Sequence, residues 1–258
     1  MPRLAANLSM MFNEVPFLDR FEAAAKAGFE GVEFLFPYDF PAADIRKRLD
    51  DNGLTQVLFN MPPGDWAGGE RGLASLPGRD REFIDGVKLA LEYAAALGCK
   101  QVHAMAGIPK GVNPVTAAAL YAANLARATD LAFPAGVKVV IEPINQRDMP
   151  GFHLATQEQG AAVVDAIGHN RLGLQFDVYH CQVAQGDICK RMEALMPVID
   201  HMQIADVPAR NEPGTGEIGW PYVFATINRL GYKGWVGCEY RPAGDTVAGL
   251  GWRQTYGV

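Results

Sequence analysis

What constrains this chain most is an alternation. Short apolar runs of strand length are each followed by a longer segment whose apolar residues recur at helical spacing, eight times over. The first run, LAANLSMMF at 4–12, leads into a segment where Phe17, Phe21, Ala24, Ala25 and Phe29 mark one helical face and Gly28 supplies the stop. GVEFLFP, TQVLFNMPP, KQVHAMAG, KVVIEPI, RLGLQFDVYH, DHMQIADVP and WVGCEYRP supply the other seven strands. Between them, Asn113 and Thr156 suit helix N-caps, Asp187 suits a helix start, and Pro41, Pro114 and Pro221 suit first turns. Strand followed by helix to a count of eight is the pattern of a (β/α)8 barrel, and 258 residues is the length of one such domain. The expectation is an α/β chain folded as a single TIM barrel over residues 1–258.

The rest of the composition excludes partners. A formal charge of -6 with no run of Lys or Arg argues against nucleic acid. No apolar stretch approaches the ~20 residues of a membrane helix, and Asn7, Ser9, Asn13 and Glu14 interrupt any signal-peptide core. Cys99, Cys181, Cys189 and Cys238 form no CxxC pair, which suits reduced, mostly buried thiols in a cytoplasmic protein. In that compartment the sequon at Asn7 carries no sugar. Met149, Phe152 and Trp252 read as exposed apolar residues that cover a site or meet a second copy, so a homo-oligomer is one expectation.

Chemistry gathers at the strand ends. Val139, Val140 and Ile141 lack polar alternation, the habit of a strand covered on both faces, yet the run ends in Glu142 and Pro143. Ligands of parallel α/β folds bind at carboxyl ends of strands. Glu33, Asn60, His103, Glu142, Asp177, His180, Gln203, Asp206 and Glu239 all fall near such ends. Glu142, Asp177, Gln203 and Glu239 come from consecutive strands, five to eight. Three converging carboxylates repel, and a cation is the natural neutraliser. With oxygen ligands and no cysteine, that cation is a hard one, Mg²⁺ or Mn²⁺. Two glutamates flanking a metal suit an aldose–ketose isomerisation, in which one removes the proton beside a carbonyl and the other reprotonates the neighbouring carbon. His180, three residues after Asp177, suits a neutral donor to substrate oxygens.

These stretches also resemble a known family. ANLSMMF, EFLFPYD, NMPPGDWAGGERG, LPGRDREF, IEPIN, PGFHL, HMQIAD, EPGTGEI and GWVGCEY, spread over nearly the whole chain, resemble the hydroxypyruvate isomerase family within the xylose-isomerase-like TIM barrels. The resemblance implies interconversion of hydroxypyruvate and 2-hydroxy-3-oxopropanoate, a small hydroxy-oxo acid, with Glu142 and Glu239 as the proton-transfer pair. Through the related ketose 3-epimerases it implies a metal shell of Glu142, Asp177, Gln203 and Glu239, with His180 and Arg210 near the substrate. Those epimerases carry histidine where Gln203 stands, and an amide is a weaker ligand. A neighbouring branch acts on 2-oxo-tetronates and tends to lack the arginine that stands here as Arg71. In the long glycine-rich loop, Arg71 suits a bidentate partner for a substrate carboxylate.

Four rival readings have weaker support. GTGEIG at 214–219 matches a dinucleotide fingerprint, but it does not leave a strand directly. A nuclease on the same barrel would need clustered histidines and a basic face. A ketose 3-epimerase shares the chemistry, and a binding protein without turnover would have no use for opposed carboxylates.

Overall fold

The structure, a computed structural model, describes residues 2–258. Eight parallel strands close into a barrel in chain order, the last pairing back onto the first. They are β1 Arg3–Asn7, β2 Gly31–Phe34, β3 Thr55–Asn60, β4 Gln101–His103, β5 Lys138–Ile141, β6 Leu172–Asp177, β7 Ile199–Ile204 and β8 Trp235–Cys238. The helices are α1 Arg20–Lys26, α2 Ala42–Asn52, α3 Asp80–Leu97, α4 Pro114–Ala132, α5 Gln157–Ile167, α6 Val178–Ala184, α7 Ile188–Leu195, α8 Trp220–Arg229 and α9 Trp252–Tyr256. No helix is long and apolar enough to cross a membrane among the described residues.

All eight strands end earlier than the apolar runs predict, and in two of them a side chain supplies the local reason. The first was expected to reach Phe12, but β1 stops at Asn7. There the side-chain oxygen accepts the Ser9 N–H at 3.1 Å and the carbonyl accepts from Met10 and Met11, which turns the chain. The sixth was expected to reach His180, but β6 stops at Asp177, whose carboxylate accepts the N–H groups of Tyr179 and His180 and so caps α6. His180 therefore stands in the first turn of a helix. Asn113 and Thr156 cap α4 and α5 as expected, Thr156 in a capping box with Gln159.

Alternation along each strand sorts its residues into two environments. Outward positions such as Leu4, Val32, Val102, Val139, Leu174, Met202 and Val236 join one large apolar core beneath the helices. The inward set differs. Ala5, Val57 and Val140 pack with Trp235 in a small separate cluster, and farther up the strands the inward residues become polar. Glu33 on β2 reaches across the lumen to β7, where His201 Nε2 lies 2.8 Å from its Oε2 and Gln203 Nε2 donates to its Oε1 at 2.8 Å. Asn7 donates to the same Oε1 at 3.0 Å. Gln175 donates to Gln203 at 2.6 Å, and Gln101 contacts the other nitrogen of His201 at 3.2 Å. An isolated buried carboxylate is costly, but three donors to one carboxylate, each bond worth roughly 1.5–3 kcal/mol, offset that cost. Gly237 makes room for it, since a Cβ there would lie 2.3 Å from Glu33 Oε2.

The glycine-rich loop after β7 has a different role from a nucleotide cradle. Asp206 accepts from the N–H groups of Val207, Gly214, Gly216 and Ile218 and from Trp220 Nε1. The nest of backbone donors is filled by the chain's own anion. Gly216 is required there, because a Cβ would fall 1.9 Å from the Val207 carbonyl oxygen. Phe152 and Trp252, expected on the surface, are buried: both belong to the apolar core, and Trp252 stacks on Phe224. The four cysteines are free, and three of them are buried. Asn7 is buried too, out of reach of any glycosylation machinery.

Candidate active site

Parity along the strands brings the strand-end residues to one place. Glu142 directly follows β5, Asp177 ends β6 and Glu239 directly follows β8, all on the inward register and all buried. One side-chain ligand atom from each of Glu142, Asp177, His180 and Glu239 lies within 4.8 Å of the others. Above them is a cavity of about 170 Å³ whose polar wall includes Asn60, His103, Gln175 and Arg210 and whose apolar wall includes Trp66 and Met149.

Arg210 answers part of the negative charge. Its Nη2 bonds Glu239 Oε2 and lies 3.5 Å from Asp177 Oδ2, and its guanidinium stands 4.9 Å from the centre of the Tyr179 ring. The residue adopts a left-handed φ of 60°, which a non-glycine residue adopts only where its surroundings demand it. Here the Arg210 N–H donates to Asp206 and its carbonyl accepts from Arg241.

The protonation of His180 follows from a backbone donor two steps away. The Asp148 N–H donates to Asn145 Oδ1 at 2.9 Å, which fixes the orientation of that amide. Asn145 Nδ2 then faces His180 Nδ1 at 2.7 Å and donates to it. With Nδ1 accepting, the proton of the neutral ring is on Nε2, the atom 4.0 Å from Glu142 Oε1 and 3.7 Å from Asp177 Oδ2. Burial and the Arg210 charge hold this imidazole well below its ordinary range, so it is neutral near pH 7. A ring that presents N–H is a hydrogen-bond donor to the cavity and has no lone pair there for a metal. His103 is likewise neutral, lowered to about 3 by burial, with Nδ1 directed at Asn60 Oδ1.

The carboxylates move the other way. Burial, then the charges of Glu239 and Asp177, raises Glu142 well above the usual range. Burial raises Glu239 to about 8, with Asp177 adding and Arg210 opposing. Burial also raises Asp177, against the pull of Arg210 and its two capping N–H groups. When all three are ionised, one guanidinium leaves two negative charges unbalanced. Glu142 Oε1 is buried without a hydrogen-bond partner among the described residues, and Asp177 Oδ2 has none beyond the long contact to Arg210. Orphaned oxygens from an all-oxygen set carrying that charge fit a hard divalent cation. Gln203 lies just beneath; its Oε1 accepts from Gln175 and keeps one lone pair.

Arg71 is placed differently from these. Its guanidinium lies 3.9 Å from the centre of the Trp66 ring, and its Nη1 donates to the Trp66 and Glu70 carbonyls. Trp66 forms part of the cavity wall, and Arg71 packs on its ring without itself lining the cavity. Glu70 pairs with Arg79, not Arg71. Sequence reasoning did not single out Asn145, Asn7 or Arg241. Asn145 and Asn7 carry no local signal, whereas Arg241 stands two residues after Glu239 and period-two spacing could have found it.

The profile of the xylose isomerase-like TIM barrel family matches residues 21–256. Over 257 residues the chain is 54% identical to the 2-oxo-tetronate isomerase of Cupriavidus necator, covering 99% of each chain. It is 46% identical to the hydroxypyruvate isomerase of Escherichia coli, covering 99% of this chain and all of the other. The crystal structure of a Brucella melitensis protein named AP endonuclease, family 2, superposes with a TM-score of 0.97 at 50% identity over 99% of each chain.

Proposed function

The chain belongs to the xylose isomerase-like TIM barrel family, two of its full-length relatives are named isomerases, and we propose that it interconverts hydroxypyruvate and 2-hydroxy-3-oxopropanoate. The observation that carries this reading is the meeting of Glu142 and Glu239, both buried and both raised in proton affinity, at one small cavity. In hydroxypyruvate the C3 hydrogens are acidified by the neighbouring C2 carbonyl. One glutamate takes a proton from C3 and the other returns one to C2, while the proton of the C3 hydroxyl moves to the C2 oxygen, so that C3 becomes the aldehyde and C2 carries the hydroxyl. A carboxyl group of raised proton affinity suits both halves, each contributing about 10²–10⁴-fold. His180 Nε2–H donates to a substrate oxygen as charge grows on it, and Arg210 supplies fixed positive charge beside Glu239. Glu142, Asp177, Gln203 and Glu239 would hold a magnesium or manganese ion, which when bound supplies Lewis-acid polarisation of the substrate.

A second reading, a 2-oxo-tetronate, is favoured by the higher identity to the Cupriavidus enzyme. The chemistry is the same with a hydroxymethyl group in place of one C3 hydrogen. DNA is disfavoured, since a formal charge of -6 and a cavity of about 170 Å³ give a phosphate backbone neither attraction nor room.

The test is deuterium incorporation in D₂O, followed by NMR for each acid, on wild type, E142Q and E239Q, with EDTA or Mn²⁺. Exchange at C3 with conversion to the semialdehyde, lost in both variants, supports the pair. Wild type that exchanges neither acid under any condition sinks it.

A further inference from the structure

Two arginines near the cavity are left without a carboxylate by the ion pairs of the described residues, Arg71 and Arg241, whereas Arg210 is engaged with Glu239 and Asp177. Of those two, only Arg241 lines the cavity. Its direction follows from alternation. Glu239 faces the lumen, and Tyr240 faces the other way, into the apolar core, where Trp252 Nε1 donates to its hydroxyl at 3.3 Å. Arg241 returns to the side of Glu239, exposed at the rim, where it also borders a neighbouring hollow beside Asn13 and Glu14. Its backbone is clamped at both ends: its N–H donates to the Arg210 carbonyl at 2.8 Å, and its carbonyl accepts from Asn211 Nδ2 at 2.7 Å. A fixed mount with a free guanidinium at the mouth of an acidic cavity is what an anionic substrate needs, because the carboxylates below repel it.

We infer that Arg241 binds the carboxylate of the substrate and so selects 2-oxo acids over neutral ketoses of the same length. The inference rests on the isomerase reading for the identity of the acid and for nothing else. Arg71 meets the same cavity only through the Trp66 ring it packs on, so it shapes the wall without reading charge.

The probes are hydroxypyruvate and dihydroxyacetone, which differ only in carboxylate against hydroxymethyl. Binding by calorimetry and deuterium exchange are measured separately on wild type, R241A, R241K and R71A, all as the full chain with Mn²⁺. The expected result is that R241A weakens hydroxypyruvate binding by about 10–100-fold, the loss of one charge-assisted pair, and leaves dihydroxyacetone within twofold. R241K recovers part of the loss, and R71A shifts both probes alike. The inference is overturned if R241A binds hydroxypyruvate as wild type does, if both probes are lost together, or if wild type does not prefer the acid. Wild type that binds hydroxypyruvate through Arg241 and never exchanges its proton would instead defeat the isomerase reading and leave the anchor standing.

Discussion

Raising the pH should destabilise the metal-free protein over a range where most proteins are indifferent. Glu239 is buried, and its pKa is raised from 4.5 to about 8. Between those two values the native state holds a proton that the unfolded chain has released, so stability falls as pH climbs and levels off above about 8. Each pH unit is worth ~1.4 kcal/mol per carboxylate. From pH 7 to 8, where the change is already tailing off, Glu239 alone removes on the order of 1 kcal/mol. For a chain of this size that lowers Tm by about 2–4 °C, and Glu142, raised in the same direction, adds to it.

The range is bounded by opposing groups. His103 and His180 are lowered in the fold, so their contribution is lost as pH falls below about 6.5 and has the opposite slope. The thiols of Cys99 and Cys181, pushed up to about 12 by burial, cost stability only above their unfolded value of 9.0. Thermal melts in EDTA at pH 7.0, 7.5 and 8.0 should therefore show a falling Tm for wild type and a shallower fall for E239Q. Saturating Mn²⁺ should flatten the wild-type profile, because a bound cation replaces the missing protons. A metal-free wild type whose Tm is level or rising over this range, with E239Q indistinguishable from it, would refute the electrostatic argument.

Two further substitutions probe the parts beneath and beside the carboxylates. Asn145→Leu removes the donor to His180 Nδ1 and frees the ring to change tautomer; kcat should fall about 10–100-fold, as for other partners that orient a site residue, and an unchanged kcat counts against the assigned tautomer. Gly237→Ala drives a methyl into Glu33; the overpacking should cost about 1–3 kcal/mol, read as a lower denaturant midpoint, and a midpoint within error of wild type would show that Glu33 has room to move.

The barrel was legible because its signal is repeated: eight alternations survive errors at any single boundary. The carboxylates were legible for a related reason, since a polar residue at the end of a buried strand has few explanations. Boundaries failed where a side chain overrode the pattern. Asn7 and Asp177 both end strands by accepting backbone N–H groups, and hydropathy does not register that. The apolar surface read from Phe152 and Trp252 was lost to tertiary packing, which no local window contains. Asn145 was invisible for the opposite reason, because its importance lies in a bond to a residue 35 positions away. Arg71 and Arg241 look alike in sequence, and only the placement of Trp66 and Tyr240 separates them.

The lumen beneath the site is strung with amides, one imidazole and one carboxylate, where barrels of this kind are commonly filled with branched aliphatic residues. Such a filling is particular about shape and hydrogen count: each member has one orientation that satisfies its neighbours, and aliphatic bulk cannot substitute for it. Attempts to toughen this protein by enlarging its centre would strand donors and acceptors along the column and tilt the glutamate that Asn7 touches from below. The outer shell between strands and helices, being apolar, can absorb repacking. Stability and chemistry are thus adjustable in separate layers, and a designer seeking new substrates would change the rim while leaving the column under it alone.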